Sequence, residues 1–388
     1  MMDIKQKDSL YVANTYARFP LVLKNGKGSR VFDEDGKEYI DLATGIAVNS
    51  FGYCDNEWIN AVTHQLNTLQ HTSNLYYSEP CVKLAELLCQ KTGFKKVFFS
   101  NSGAEANECA IKVARKYAAE KKGSEYNTII TLKNSFHGRT VTTLAATGQD
   151  VFHKDFLPLT EGFVYVEANN CEELIKTVEN GKIAAIMFET VQGEGGVLPL
   201  TEEFVKTIFD LAESHDILTI SDEVQTGNGR TGQLYGYMNY GVIPDIFTTA
   251  KGIGGGLPMG ATVLGEKTEN VLKAGDHGST FGGNPVVCAG ALSVLERIDE
   301  KLLKEVREKS QFIIEKLSAC KGVKSISGKG LMLGIETEKD AGEVISAAQQ
   351  KGVLVIKAKT KVRLLPALNI PFDELQKAIN ILCDVIGD

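Results

Sequence analysis

The chain has 388 residues, 43% hydrophobic and 23% charged, a balance suited to one large α/β domain with a smaller lobe or to two ordinary domains. A formal charge of −7 gives no footing for nucleic acid or an anionic membrane, and no apolar run approaches the ~20 residues that span a bilayer. The opening MMDIKQKDSLYVANTY lacks a basic stretch followed by an apolar core, so no export signal is expected and the setting reads as cytoplasmic.

Eight cysteines, none in a CxxC pair, read as reduced thiols in that setting. Six histidines show no HExxH or HxxxH spacing, so no metal site is expected. Glycine is the outlier, with 38 of 388 residues against an average of roughly 7%. The glycines are clustered rather than repeated, which marks tight loops and close backbone approach to a ligand.

In chain order, VFDEDGKEYIDL reads as a hairpin turning at Asp35-Gly36. From Lys96 onward, short β-rich runs alternate with amphipathic stretches. Lys96–Ser100, Thr128–Leu132, Ile183–Glu189 and Ile217–Ser221 have the look of buried strands, and Asp245–Thr249 and Ala261–Leu264 continue the series. Ala104–Ala118 and Glu202–Ser214 space their apolar residues as one helix face does. Strand and helix in alternation predict an α/β fold: a large domain with a mostly parallel sheet flanked by helices. A helix is expected from Asn284-Pro285, and Ile298–Leu317 is strongly amphipathic. Gly330–Ile335, a helix at Ala341–Gln350, Val353–Lys357, Val362–Leu365 and a closing helix from Asp373 then predict a small C-terminal α/β lobe. The expected division is an N-terminal segment 1–50 packing with the small lobe, a large domain 51–290 and a small domain 291–388.

The most informative segment is PDIFTTAKGIGGGLPMG, where Lys251 follows a buried strand and precedes Gly252, Gly254, Gly255 and Gly256. A lysine fixed at a strand end beside bare backbone has a cavity over it. There a desolvated ammonium loses its proton more easily, as attachment to an aldehyde cofactor requires. The plainer alternative is a solvated lysine capping a glycine loop. In TISDEVQTGNGRTG, Asp222 ends an apolar strand, where a carboxylate needs a cationic partner such as a protonated pyridine nitrogen. A helix cap is the commoner use of such an aspartate. Gln225 follows three residues later, within reach of a ring oxygen.

SNSGAEAN runs from a strand end into a helix, whose free backbone N–H groups and positive dipole end suit a phosphate. It matches neither GxGxxG nor GxxxxGK[ST], and Ser102 is equally a good ordinary N-cap. In NSFHGRT, Phe136 is placed to stack on a flat ring and Arg139 to clamp a carboxylate. GSTFGGNP sets the Ser279 and Thr280 hydroxyls on a glycine loop, again compatible with a phosphate.

These segments, in this order, resemble the class III, ornithine-type aminotransferases among the fold-type I pyridoxal-phosphate enzymes. The run DEVQTG, RTG, PDI, AKGIGGG and PMG carries the likeness, with Lys251 lying 29 positions after Asp222 (251 − 222). The resemblance implies pyridoxal 5′-phosphate carried by Lys251, with Asp222 on its ring nitrogen, Gln225 on its hydroxyl and Phe136 stacked on the ring. It further implies phosphate contacts from Ser102, Gly103 and Ala104, with Glu223 and Val224 beside the ring. Thr280 would reach the phosphate of a neighbouring subunit, making a homodimer with shared active sites. The small-molecule partners implied are an amino acid and a 2-oxo acid.

FFSNSGAEANECAIKVARKY and FHGRT resemble the branch that moves the ω-amino group of N2-acetyl-L-ornithine to 2-oxoglutarate. That reaction, in arginine biosynthesis, yields N-acetyl-L-glutamate 5-semialdehyde and L-glutamate. Arg139 and Ser279 would meet the acetylated substrate, Arg363 in VRLLPAL the α-carboxylate of glutamate, and Glu194 in QGEGG would switch on and off Arg363. The neighbouring branches use ornithine, succinylornithine, acetyl-lysine-type donors or 4-aminobutyrate. Where the ornithine branch has a tyrosine, this chain reads ATGIAVN, and Thr190 stands where the family usually has proline.

Overall fold

The β-branched runs assemble into one seven-stranded sheet in the computed structural model, which describes residues 2–387. Across the sheet lie Lys96–Ser100, Gly260–Leu264, Ile246–Ala250, Leu218–Asp222, Ile183–Phe188, Thr128–Leu132 and Phe163–Val166. The five from Ile246–Ala250 outward pair parallel, as alternating strand and helix predict. Gly260–Leu264 pairs antiparallel on both sides. Only the short 3₁₀ turn Lys251–Gly254 and a loop separate it from Ile246–Ala250, too little chain for the dozen or so residues of a parallel crossover.

The sheet is covered on both faces, so Ile183–Phe188 is buried at every residue. Helix Gly103–Lys122 lays Ala106, Ala110, Ile111, Ala114 and Tyr117 against it. Ser102 caps that helix, its hydroxyl accepting from Glu105 N at 3.2 Å.

The N-terminal hairpin turns at Gly36 (φ 83) between Arg30–Asp33 and Glu38–Asp41. Its inner strand also pairs parallel with Val353–Leu354. A second sheet is built from Val323–Lys329, Met332–Thr337, Lys361–Leu364 and Ile356–Ala358, packed by helices Glu300–Ser318, Ala341–Gln350 and Phe372–Gly387. The stretch Val353–Lys357, expected as one strand, therefore divides between two sheets. Val323–Lys329, with its polar face, is a strand that periodicity does not announce. Among the described residues no helix is long and apolar enough to cross a membrane.

One expectation is corrected here. Cys320 and Cys383, 63 residues apart, form a disulfide with Cα atoms 5.6 Å apart. The end of Glu300–Ser318 and the last helix lie side by side, a proximity that cysteine spacing does not encode. The other six cysteines are free.

Candidate active site

Lys251 stands at the carboxyl end of Ile246–Ala250, in the left-handed region (φ 46), where a side chain with a Cβ is strained. Strain of that kind persists where the surroundings over-determine it. Here the constraint is a strand on one side and the turn Lys251–Gly254 on the other. Its side chain enters a cavity of about 440 Å³, within the roughly 300–1,000 Å³ of small-molecule sites. Burial holds the ammonium below the ordinary lysine range, against the pull of Asp222, Glu194 and Glu189, while Arg363 pushes the same way as burial.

Asp222 ends the neighbouring strand Leu218–Asp222 and is 3% exposed. Its Oδ2 accepts from Asn107 Nδ2 at 2.8 Å and lies 2.7 Å from His137 Nδ1, while Oδ1 accepts from Val224 N at 3.1 Å. Two N–H donors and the His137 ring nitrogen thus surround this buried carboxylate. Asn107 is oriented in turn by His137 O and by the Thr248 hydroxyl, which donates to its Oδ1 at 2.7 Å. Buried Glu189 lines the same cavity, accepting from Phe136 N at 2.8 Å and Gly193 N at 3.3 Å. Desolvation pushes its carboxyl up to about 7, with Asp222 adding to the shift and His137 opposing it.

On the opposite wall, Ser102, Gly103 and Ala104 open helix Gly103–Lys122 into the cavity. A Cβ on Gly103 would stand 2.7 Å from Val224, so only glycine lets that apolar wall close over the helix end. Phe136 stands edge-on to Phe152, with ring centroids 5.9 Å apart. The donor set thus fits a pyridine ring bearing an aldehyde and a phosphate: an amine of depressed basicity, a buried carboxylate, flat apolar walls and a helix N-terminus.

At the other end of the site, Arg363 Nη1 donates to Glu194 Oε1 at 2.6 Å and to Gln225 Oε1 at 3.1 Å. Among the described residues the buried Nε of Arg363 has no hydrogen-bond partner. Burial pushes Glu194 up, but the charge and hydrogen bond of Arg363 outweigh it and hold the carboxyl below its usual range. Arg139 is exposed at the cavity wall, its guanidinium 3.9 Å from the centroid of the Phe152 ring, and among the described residues it has no carboxylate partner.

Thr44, Gly45, Ile46 and Ala47 all have positive φ (50, 65, 65 and 62), a left-handed turn unusual for a β-branched residue. Asp41 holds it by accepting from Ala43 N at 2.7 Å and Thr44 N at 3.0 Å, and the Thr44 hydroxyl donates to Leu365 O at 2.6 Å.

The structure therefore brings Lys251, Asp222, Val224, Gln225, Phe136, Arg139 and the segment Ser102–Ala104 to one cavity, with Glu194 and Arg363 joined to it through Gln225. Glu223, expected beside the ring, is turned away and this placement is a correction. Its carboxylate is fully buried and accepts from Gly236 N, Tyr237 N and the Ser221 and Thr226 hydroxyls. A residue next to Asp222 on an extended strand end faces the opposite side. Thr280 lies in a separate hollow with His71, Tyr76 and Tyr77, outside the Lys251 cavity of its own chain. Ser279 reaches the cavity only through Asn101, whose Nδ2 donates to its hydroxyl at 3.1 Å.

Sequence reasoning missed Asn107, His137 and Glu189, although each sits inside or beside a segment already singled out. The available signal was the need of a buried Asp222 for donors.

With this geometry in view, comparison with known proteins is direct. The family model Aminotransferase class-III matches residues 11–386. "Acetylornithine aminotransferase" of Haemophilus ducreyi is 49% identical over 387 residues, covering 99% of this chain and 98% of that protein. The solved N-acetylornithine aminotransferase of Stenotrophomonas maltophilia K279a superposes with a TM-score of 0.85 at 35% identity, covering 98% of each chain. An ornithine aminotransferase from Toxoplasma gondii, described with partial occupancy of PLP at its active site, superposes at 0.93 and 31% identity, covering 98% of this chain and 93% of that one. A strand-end lysine facing a buried aspartate, on a chain matched along almost its whole length, leaves one conclusion: this protein belongs to the class III aminotransferases.

Proposed function

We propose that this chain moves the ω-amino group of N2-acetyl-L-ornithine to 2-oxoglutarate, the reaction of arginine biosynthesis, using pyridoxal phosphate held on Lys251. The observation that carries the reading is the contrast between two arginines. Arg363 is buried and occupied by Glu194, whereas Arg139 is exposed at the cavity and among the described residues holds no carboxylate. A donor whose amine is remote from its carboxylate suits that state. Its distal amine approaches Lys251, its carboxylate lies at Arg139, and its uncharged stem passes a guanidinium already neutralised. The names of the relatives above point to the same substrate.

Pyridoxal phosphate, when bound, supplies a cationic ring that accepts electrons from a carbon losing its proton. Asp222, fixed by Asn107, His137 and Val224, would hold a proton on the ring nitrogen. Backbone N–H groups at Ser102–Ala104 would hold the phosphate, and Phe136 and Val224 line the cavity where the ring would sit. The Lys251 amine, its basicity lowered by burial, would take the proton from the substrate carbon and return it to the cofactor carbon that keeps the amino group. In the second half-reaction Glu194 would leave and Arg363 would take the α-carboxylate of 2-oxoglutarate, the contact glutamate makes in the reverse direction.

The chain works as a homodimer with shared sites in this reading. Thr280 shares its hollow with Tyr76 and Tyr77, 71% and 100% exposed, and precedes Phe281, 60% exposed, a surface suited to burial by a second copy. The test is a panel of amino donors at fixed 2-oxoglutarate, with particle mass measured alongside. A kcat/KM for acetylornithine above those for ornithine, succinylornithine, acetyl-lysine and 4-aminobutyrate supports the proposal. A higher value for any other donor transfers the enzyme to that branch, and a monomeric active species removes the shared site.

A further inference from the structure

Arg230 is among the largest side chains fully enclosed in this protein, and among the described residues no carboxylate pairs with it. A guanidinium in that position is expensive unless its donors are used, because desolvation opposes the charge and no counter-ion repays it. Burial alone brings its pKa down to about 9, which still leaves it charged at neutral pH. Its Nη1 donates to two main-chain carbonyls, Leu331 O at 3.1 Å and Pro366 O at 2.5 Å. The Leu331 N–H donates back to Arg230 O at 2.9 Å, closing a reciprocal pair between the loop after Leu218–Asp222 and the C-terminal sheet.

Those two carbonyls lie together at one end of the strand pair that carries Arg363. Leu331 immediately precedes strand Met332–Thr337, whose Gly334 stands opposite Arg363 in the ladder. Pro366 follows the strand Lys361–Leu364 that contains Arg363. The turn between Val323–Lys329 and Met332–Thr337 rests so closely on this loop that a Cβ on Gly330 would stand 2.5 Å from Arg230 O. The loop that presents Asp222 to the ring position and Gln225 to the Arg363 head thus reaches, eight residues past Asp222 (230 − 222), both strands of the Arg363 ladder at its Leu331–Pro366 end. Leu365 is held by the Thr44 hydroxyl and by Leu42 O, and Leu368 by Ser50 O and Lys309, and Arg230 adds the tie at Pro366 between them.

We infer that Arg230 is a positioning residue which sets the distance between the ring-facing Asp222 and the carboxylate-binding Arg363 by tying the loop of one to the strand of the other. The inference rests on the reading of Arg363 as the receiver of the glutamate α-carboxylate. It gives Arg230 no contact with substrate. Its effect is selective, because Arg363 grips a carboxylate in the glutamate half-reaction but stays with Glu194 in the other.

The experiment uses holoenzyme carrying Arg230→Gln, Arg230→Lys or, as reference, Arg363→Ala. Single-turnover half-reactions with glutamate and with acetylornithine are followed separately, and the dissociation constant of glutarate is measured by titration without turnover. A shift of Arg363 by a fraction of an ångström is expected to slow the glutamate half-reaction and weaken glutarate by roughly tenfold or more in Arg230→Gln. The acetylornithine half-reaction should change by less than about threefold. Arg230→Lys, which keeps one charged donor, should fall between wild type and Arg230→Gln. Equal loss in both half-reactions, or no loss in either, overturns the inference, since a merely structural arginine would not discriminate between donors. If Arg230→Gln does not fold, an unchanged donor ratio and unchanged glutarate binding in Arg230→Lys overturn it equally. If Arg363→Ala itself leaves glutamate and glutarate untouched, the reading of Arg363 fails and the inference falls with it.

Discussion

Arg363 and Glu194 meet at 2.6 Å, and the two partners differ in freedom: the arginine side chain is 3% exposed and the glutamate 30%. The arginine is seated in a ladder strand, whereas Glu194 stands between Gly193 and Gly195 in a loop. When a second carboxylate arrives at Arg363, Glu194 is therefore the group that leaves. An uncompensated buried guanidinium costs several kcal/mol, which is why a removable partner is needed.

Glu194→Ala should accordingly slow the acetylornithine half-reaction by about tenfold or more, leaving glutamate unaffected or faster. Separate single-turnover traces decide it. Equal loss in both halves would reduce Glu194 to scaffold.

Lys251→Ala should bind pyridoxal phosphate loosely and lose turnover, because both the attachment point and the proton carrier are gone. In wild type, borohydride should fix a phosphopyridoxyl group on Lys251. A peptide map that places the reduced group on another lysine refutes the assignment.

Asp222→Asn should preserve the shape of the cavity but weaken the hold on the ring proton. A loss of roughly 10³-fold in rate, several kcal/mol in barrier, is expected. Wild-type turnover in this variant would leave Asp222 as no more than a partner for His137 and Asn107.

Glu189 makes stability depend on pH in a definite direction. Its folded carboxyl is raised from 4.5 to about 7 by burial, so the folded chain keeps a proton that the unfolded chain releases. That contribution is complete below the unfolded value and is lost as pH rises through about 7. Glu189→Gln has no such proton. Relative to wild type, the variant should gain stability between pH 5 and 8, by on the order of 3 kcal/mol at most. Denaturant titration of cofactor-free protein across that range should show the gap widening with pH, and a constant gap would contradict the assignment.

Thr190 stands where the family resemblance leads one to expect proline, and among the described residues its buried hydroxyl has no hydrogen-bond partner. Its carbonyl accepts from Leu200 N at 3.0 Å, a bond that proline would keep. Thr190→Pro should therefore raise stability by about 0.4–1 kcal/mol, through a stiffer unfolded chain and the removal of an unpaired polar atom. A lower midpoint in urea would show instead that the backbone here cannot adopt the proline geometry.

What the amino-acid sequence determined by itself is the set of local patterns. Apolar runs such as Ile183–Phe188 can be buried only as strands covered on both faces, and Ser102 before Gly103–Lys122 announces a helix start. Lys251 and Asp222 were legible because a charged residue directly after an apolar strand has few places to go. The tertiary structure alone decided what distance in sequence conceals. Cys320 found Cys383 because two helices pack side by side, and Gly260–Leu264 turned antiparallel because its connection is short. Glu223 turned away from the site because neighbours on an extended chain face opposite sides, and its carboxylate found four donors there. His137, Asn107 and Glu189 reach the same carboxylate or the same loops only once separate strand ends converge at one edge of the sheet. Local preference comes from a few neighbouring residues, whereas each of these contacts depends on long-range packing that no single segment encodes.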